Sequence, residues 1–258
     1  MDNFTLTLIA AALAILWYLI VRRKKKPAPL PPFPETYRHL LETEVPFYTR
    51  LDAGGRAQFE QRMQRFLWDV RITGINTEVT DLDRVLIGAG AIIPIFGFPG
   101  WEYRHLNEVL LYPDSFDEDF SQEGSGRNIL GLVGNGPFER VMILSRHELR
   151  QGFLNKTGKN NTVIHEFVHL IDKSDGSIDG IPEHFTDKQT AIPWIQLMQK
   201  EINKIMRNQS DIDPYGATNQ AEFFAVVSEY FFERPDLLQQ KHPQLYAAMA
   251  KIFRQGKQ

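Results

Sequence analysis

Two histidines lie four residues apart in this sequence, with a glutamate directly after the first. Four residues make slightly more than one helical turn, so His165 and His169 would project from the same face of a helix. Two imidazoles placed in this way can bind one metal ion. Glu166 would lie about 100° further around the helix, where its carboxylate could take a proton from a water molecule held by the metal. The spacing therefore predicts a metal-dependent hydrolase.

An alternative is that both histidines are core residues whose ring nitrogens bond to backbone carbonyls. The pattern His-Glu-x-x-His arises by chance in on the order of one chain in a hundred of this length. Apolar residues flank the pair on both sides, in residues 162–164 and 170–171, which indicates a buried cleft. Burying two imidazoles only for packing would cost free energy and leave the adjacent glutamate without a use. We therefore favour metal binding.

A third metal ligand must come from elsewhere in the chain, because a catalytic zinc keeps three protein ligands and one open position. The chain has no cysteine, which excludes thiolate ligands, disulfides and a thiol nucleophile. The next histidine after His169 is His184, too distant for the metzincin pattern. Glu222 and Glu229 lie two turns apart on a predicted helix, so both could face the same way. Spacing alone leaves open which of them binds the metal, and Glu229 could instead support a ligand.

The N-terminus predicts a membrane anchor. Residues 4–21 carry no charge and are just long enough to cross a bilayer as a helix. Asp2 precedes them and five cations, residues 22–26, follow them, which is the reverse of a cleavable signal peptide. Because basic flanks stay cytoplasmic, we expect residues 1–21 to be a single-pass anchor in the inner (cytoplasmic) membrane, with the remaining chain in the cytoplasm.

The rest of the chain predicts a linker followed by one globular domain. Residues 22–34 combine the basic run with the start of the proline-rich "PAPLPPFPE", which favours extended polyproline II. The chain has 258 residues, 43% of them hydrophobic, so residues 35–258 can form one catalytic-sized domain. The net charge is −3 and becomes more negative without the basic run, which argues against nucleic acid as a partner. The basic run is better explained by topology and by attraction to anionic lipids.

Hydrophobic periodicity predicts a mainly helical α+β domain with a small sheet. Helices are expected at residues 53–70, 161–172, 188–207, 220–233 and 242–253. Short apolar runs at 108–113 and 140–145 predict strands. The glycine-rich residues 131–137 predict a loop between them and lack the spacing of a nucleotide site. The strand that ends at Ser145 could be a sheet edge to which a substrate pairs.

Three motifs in this order resemble one known family. They are "HEFVHLID" from His165, "DGSIDGIP" from Asp175 and "DPYGATNQAEFFAVVSEYFF" from Asp213. Together they resemble the Mlc titration factor A family of bacterial zinc peptidases, whose active-site region is related to the metalloprotease domain of anthrax lethal factor. "WEYRHLNEVLLYPDSF" from Trp101 is similar to the strand region of the same family. The likeness covers most of residues 60–235.

The resemblance implies a zincin-like peptidase that binds Zn²⁺. It implies His165, His169 and Glu222 as the metal ligands and Glu166 as the general base. Tyr215 matches a family tyrosine that stabilises the tetrahedral oxyanion, a role suited to a phenol donor near a metal. Tyr215 could instead be a turn residue that packs where a helix starts. A set of two histidines and a glutamate also accepts divalent metals other than zinc.

Two functions are compatible with these features. The first is a zinc-dependent peptidase at the cytoplasmic face of the membrane, which hydrolyses peptide bonds by Glu-assisted attack of a zinc-bound water on a peptide or protein substrate. The alternative is a zinc-stabilised binding protein that sequesters a regulatory protein such as a transcriptional repressor. The family's founding type is soluble and binds such a repressor. This chain has a predicted anchor, so that partner is not transferred to it.

Overall fold

The described part of the chain is mostly helical, and its strands form one small sheet. The computed structural model describes residues 30–114, 131–133, 140–182 and 188–255. The helices are α1 (Glu35–Glu44), α2 (Pro46–Thr49), α3 (Ala53–Asp69), α4 (Asp81–Ile95), α5 (Arg146–Leu154), α6 (Thr162–Asp172), α7 (Lys188–Met206), α8 (Gln220–Glu233), α9 (Pro235–Lys241) and α10 (Pro243–Ile252). The strands are β1 (Arg71–Gly74), β2 (Glu108–Tyr112), β3 (Gly131–Val133) and β4 (Val141–Ser145). The predicted α+β class and all five predicted helices are confirmed.

The described strands pair in the order β1-β2-β4-β3. Strands β1, β2 and β4 are parallel, and β3 runs antiparallel to β4. The strands predicted at 108–113 and 140–145 are confirmed as β2 and β4. The loop predicted at 131–137 is wrong in its first three residues, because β3 pairs there with β4. Three residues are too few for a period-two pattern to stand out from the neighbouring glycines, so only the tertiary pairing reveals this strand.

The sheet edge predicted at Ser145 is also wrong. Strand β4 lies between β2 and β3, with Leu110 opposite Ile143 on one side and Leu132 opposite the same residue on the other. Met142, Ile143 and Leu144 are therefore already paired on both sides. Among the described strands, β1 and β3 form the edges.

A central helix, α4, supports the rest of the fold and was not predicted. Its start is fixed by a capping box, in which the Thr80 side chain accepts from the Asp83 N–H and the Asp83 carboxylate accepts from the Thr80 N–H. Almost every later residue of α4 is buried. Because the helix is apolar on all sides, it lacks the one-sided periodicity that identifies a surface helix.

Close packing against α4 holds α6 in the core. A β-carbon at Gly90 of α4 would lie 2.4 Å from Cγ1 of Val163 in α6, so only glycine fits there without a shift. The N-cap of α6 is Asn161, whose Oδ1 accepts the Ile164 N–H at 3.3 Å. These contacts fix both the axial position and the rotation of α6, the helix that carries the histidine pair.

The predicted anchor, residues 1–21, and most of the predicted linker, 22–34, lie outside the described residues. Within the described ranges, no helix combines the length and the apolar character needed to cross a membrane. The residues from Phe33 onward form one compact unit.

Candidate metal centre

Helices α6 and α8 pack against each other and carry most of the candidate residues. His165, Glu166 and His169 lie on α6, and Glu222 lies in the first turn of α8. The α8 N-cap, Asn219, accepts the Glu222 N–H at 2.9 Å, which fixes the start of α8 and therefore the backbone of Glu222. The proposed metal ligands are thus placed by two helices rather than by loops.

The structure brings His165, His169 and Glu222 together. Nε2 of His165 is 3.0 Å from Nε2 of His169 and 3.0 Å from Oε2 of Glu222. Nε2 of His169 is 3.4 Å from the same Glu222 oxygen. The ligand atoms of a tetrahedral zinc site with bonds near 2.05 Å are about 3.3 Å apart. The triangle of donor atoms therefore has the size that one zinc-like ion requires.

Glu229 contacts His165 from the opposite side of the ring. Its Oε1 is 2.7 Å from Nδ1 of His165. A carboxylate oxygen accepts a hydrogen bond from Nδ1, which leaves Nε2 as the ring nitrogen that can bind a metal ion in place of a proton. Nε2 faces Nε2 of His169 and the Glu222 carboxylate. Two imidazole nitrogens and one carboxylate oxygen thus converge, so these residues fit a divalent metal.

The charges of the site also favour a positive group at this position. Burial alone would lower the pKa of His165, but its hydrogen bonds to Glu222 and Glu229 raise it well above the usual range. Burial alone would raise the pKa of Glu222, but the two imidazoles lower it to about 2. Glu222 is therefore ionised at neutral pH and available as an oxygen ligand.

Glu166 and Tyr215 flank the donor triangle. Glu166 is only 6% exposed; burial raises its pKa, while His165 and His169 act in the opposite direction. Tyr215 lies in a short 3₁₀ helix, Pro214–Ala217, with its ring centre 6.1 Å from that of His165. Burial and the nearby Glu222 and Glu166 raise the pKa of Tyr215. Its phenol is therefore protonated at neutral pH and able to donate a hydrogen bond.

Two residues that support the histidine site, Asn161 and Glu233, were not identified from the sequence. The Asn161 backbone N–H donates to Oε2 of Glu229, and its Nδ2 donates to Oε1 of Glu233 at 2.7 Å. Burial raises the pKa of Glu233 to about 7. The position of Asn161 before an apolar helical run does indicate an N-cap. No local sequence pattern predicts the contacts of Asn161 with Glu229 and Glu233 of α8, which lie about seventy residues away in sequence.

Another acidic residue of the histidine helix, Asp172, does not belong to this cluster. Asp172, at the end of α6, accepts the Gly180 N–H at 2.8 Å and so holds the following turn. His184 lies outside the described residues. Within the described part of the chain, no other set of three histidine or acidic side chains brings its ligand atoms so close together.

Comparisons with known proteins point to a metallopeptidase family. The family model described as glucose-regulated metallo-peptidase M90 matches residues 19–254. An uncharacterised protein of Synechocystis is 31% identical over 96% of this chain and 94% of its own length. Mlc titration factor A of Salmonella arizonae is 29% identical over 82% of this chain and 88% of its own length. Mlc titration factor A of Serratia proteamaculans is 33% identical over 58% of this chain and 60% of its own length.

Proposed function

The chain belongs to the glucose-regulated metallo-peptidase M90 family, and we propose that it is a zinc-dependent, zincin-like peptidase. The observation that carries this proposal is the donor triangle of His165, His169 and Glu222, with its 3.0–3.4 Å separations. A structural zinc site would close the fourth position with a protein ligand and would need no base. The buried carboxylate of Glu166 beside the triangle supports a catalytic site instead.

Each residue has a separate part in the proposed hydrolysis. A bound divalent ion would acidify a water molecule and polarise the scissile carbonyl. Glu166 accepts the proton as the water oxygen bonds to the carbonyl carbon, and it then passes that proton to the amine nitrogen as the C–N bond breaks. Tyr215 donates its phenolic O–H to the oxyanion formed on the carbonyl oxygen. The second water proton passes from the new carboxyl group to the amine, so the products are a carboxylate and an ammonium ion and no other reactant is needed.

The proposal is tested by metal content and cleavage together. The purified full-length chain should bind about one zinc per chain and should cleave members of a mixed-sequence peptide library. A chelator should stop cleavage and added zinc should restore it. Glu222→Ala should lose the metal, whereas Glu42→Ala, which removes a carboxylate from α1, should keep it. A zinc-loaded chain that cleaves no library peptide would refute the peptidase.

A second candidate is a zinc-stabilised protein that binds a regulatory protein. The relatives named Mlc titration factor A support it, because their name refers to titration of another protein. Capture of a regulator would survive Glu166→Gln, while removal of the metal would unfold the domain. Unfolding of the metal-free chain together with absent hydrolysis would favour this candidate over the peptidase.

We also propose that the chain is tethered at the cytoplasmic face of the inner membrane. The uncharged residues 4–21 and the basic residues 22–26 support this localisation. The full chain should remain in the membrane pellet after carbonate extraction, and in intact spheroplasts an added protease should not reach the catalytic domain. Release into the carbonate supernatant would contradict the tether.

A further inference from the structure

The turn before α6 contacts the segment that carries Tyr215. Three consecutive residues form this turn, Lys159, Asn160 and Asn161, and each makes a different long-range contact. Nζ of Lys159 bonds to the backbone carbonyl of Asp211 and lies 3.2 Å from its Oδ2. Nδ2 of Asn160 donates to Oδ2 of Asp213 at 3.0 Å. The turn therefore connects the start of the histidine helix to residues just before Tyr215.

Asp213 links the Asn160 side chain to the backbone of Tyr215. While Oδ2 accepts from Asn160, Oδ1 accepts the backbone N–H of Tyr215 at 2.9 Å. Asp213 is also the N-cap of the 3₁₀ helix Pro214–Ala217. A single carboxylate thus bonds to the Asn160 side chain with one oxygen and to the Tyr215 backbone with the other.

Asp211 fixes the other end of the same segment. Besides Lys159, its carboxylate accepts from the Tyr230 hydroxyl at 3.0 Å and from Nζ of Lys241 at 2.9 Å, and it lies 2.7 Å from Nε2 of His242. Tyr230 belongs to α8, the helix that also carries Glu222. The segment 211–215 is therefore held between the turn before α6 and the helices α8 and α9.

Within the described ranges, no hydrogen bond of its own hydroxyl group holds the Tyr215 side chain. It is 55% exposed, and among the described residues its hydroxyl has no hydrogen-bond partner. The position of its phenol is therefore set by its backbone and by the residues that hold that backbone. A catalytic donor displaced by about 1 Å can lose about 10²-fold in rate, so these holding contacts matter for catalysis.

We propose that Asn160 and Asp213 are positioning residues that set the place of Tyr215 relative to the metal centre. The same turn fixes both sides of the site, because the adjacent Asn161 caps α6 and bonds to Glu229 behind His165. A shift of α6 would therefore carry the Tyr215 segment with it. This inference rests on the proposed role of Tyr215 as the oxyanion donor.

A double-mutant cycle tests the inference on the full-length, zinc-loaded chain with one cleaved library peptide as substrate. Tyr215→Phe should lower kcat about 10²-fold, the loss typical of an oxyanion donor. Asn160→Ala should lower kcat about fivefold to tenfold, with KM and zinc affinity within about twofold of wild type, a partial loss of the same interaction. In the Tyr215→Phe background, Asn160→Ala should have no further effect, because it acts only through the tyrosine.

Thr157→Val is the matched control. It removes a side-chain hydrogen bond of the same loop, from Thr157 to Asn155, without touching the Tyr215 segment, and it should leave kcat unchanged. Asn160→Ala, but not Thr157→Val, should also speed amide hydrogen exchange in residues 213–217. This exchange measurement, made on the zinc-loaded chain, does not depend on activity.

The possible results distinguish a failure of the positioning role from a failure of the assumption that Tyr215 is the oxyanion donor. An equal loss of kcat from Asn160→Ala in both backgrounds would mean a general structural effect and would overturn the positioning role. An unchanged kcat in Asn160→Ala, or unchanged exchange, would overturn it as well. If Tyr215→Phe itself left kcat unchanged, the premise that Tyr215 is the donor would fail. If the zinc-loaded wild type cleaved nothing, the peptidase itself would fail.

Discussion

Glu229→Gln should weaken metal binding although Glu229 does not face the metal position. In the wild type, one carboxylate oxygen accepts from Nδ1 of His165 at 2.7 Å and the other accepts the Asn161 N–H. A glutamine offers one acceptor and one donor. If the glutamine carbonyl oxygen accepts from one of these two donors, the glutamine NH₂ group must face the other donor without an acceptor between them. The substitution also removes the negative charge that stabilises His165 when it binds a cation.

The size of the effect follows from these two contacts. A hydrogen bond to a charged group contributes about 1.5–3 kcal/mol, and 1.4 kcal/mol corresponds to about tenfold in an equilibrium constant. We therefore expect the zinc Kd to rise about 10–100-fold, the range typical of residues that support a metal-binding histidine. Part of the loss should appear as a lower Tm of the metal-free chain, because the unmatched donor near Asn161 remains when the metal is absent.

The assay is a competition titration of the full-length chain against a chelator of known zinc affinity. Glu233→Gln is the matched control, since it changes another carboxylate of α8 but keeps an acceptor for Nδ2 of Asn161. Its Kd should remain within about threefold of wild type, because Glu233 does not touch a proposed ligand. A Kd for Glu229→Gln that also lies within threefold would refute the reasoning about His165 orientation.

The remaining predictions concern stability. Burial raises the pKa of Glu233 to about 7 from an unfolded value near 4.3. The free energy of unfolding should therefore fall by up to about 4 kcal/mol as pH rises from about 4 through 7. Glu233→Gln should remove this fall. Urea titrations at several pH values would contradict the prediction if the free energy of unfolding depended on pH equally in the wild type and in the variant. Gly180→Ala should lower the free energy of unfolding by about 2–4 kcal/mol, because Gly180 has φ +76° and its β-carbon would lie 2.4 Å from the Gln220 carbonyl oxygen. Gly176→Ala, at φ +102° with open space around it, should cost only about 1–2 kcal/mol of backbone strain, and equal losses at both positions would exclude the clash.

The local part of the site could be predicted from sequence, whereas its distant parts could not. His165, Glu166 and His169 lie within five consecutive residues of one helix, so their relative placement follows from helix geometry alone. Glu222 and Tyr215 lie more than forty residues further on, and only a family resemblance singled them out. Spacing allowed either Glu222 or Glu229 to face the metal. In the structure, Glu222 lies on the Nε2 side of His165 and Glu229 on the Nδ1 side.

The elements that were missed share a physical cause. Helix α4 is buried on all sides, so its sequence carries no amphipathic period, and its capping box at Thr80 was the signal that could have identified it. Strand β3 has three residues and exists only through its pairing with β4. The long contacts of Asn160 and Asn161 depend on how α6 and α8 pack, which no local pattern encodes.

The most direct test of the central claim is the cleavage rate of Glu166→Gln, measured with its zinc content. Glutamine keeps the size of the side chain but cannot accept a proton from the attacking water. The account predicts about one zinc per chain, as in the wild type, and a peptide cleavage rate lower by about 10²–10⁴-fold, the usual contribution of a general base. A variant that keeps its zinc and cleaves at the wild-type rate would contradict the assignment of Glu166 and the mechanism built on it.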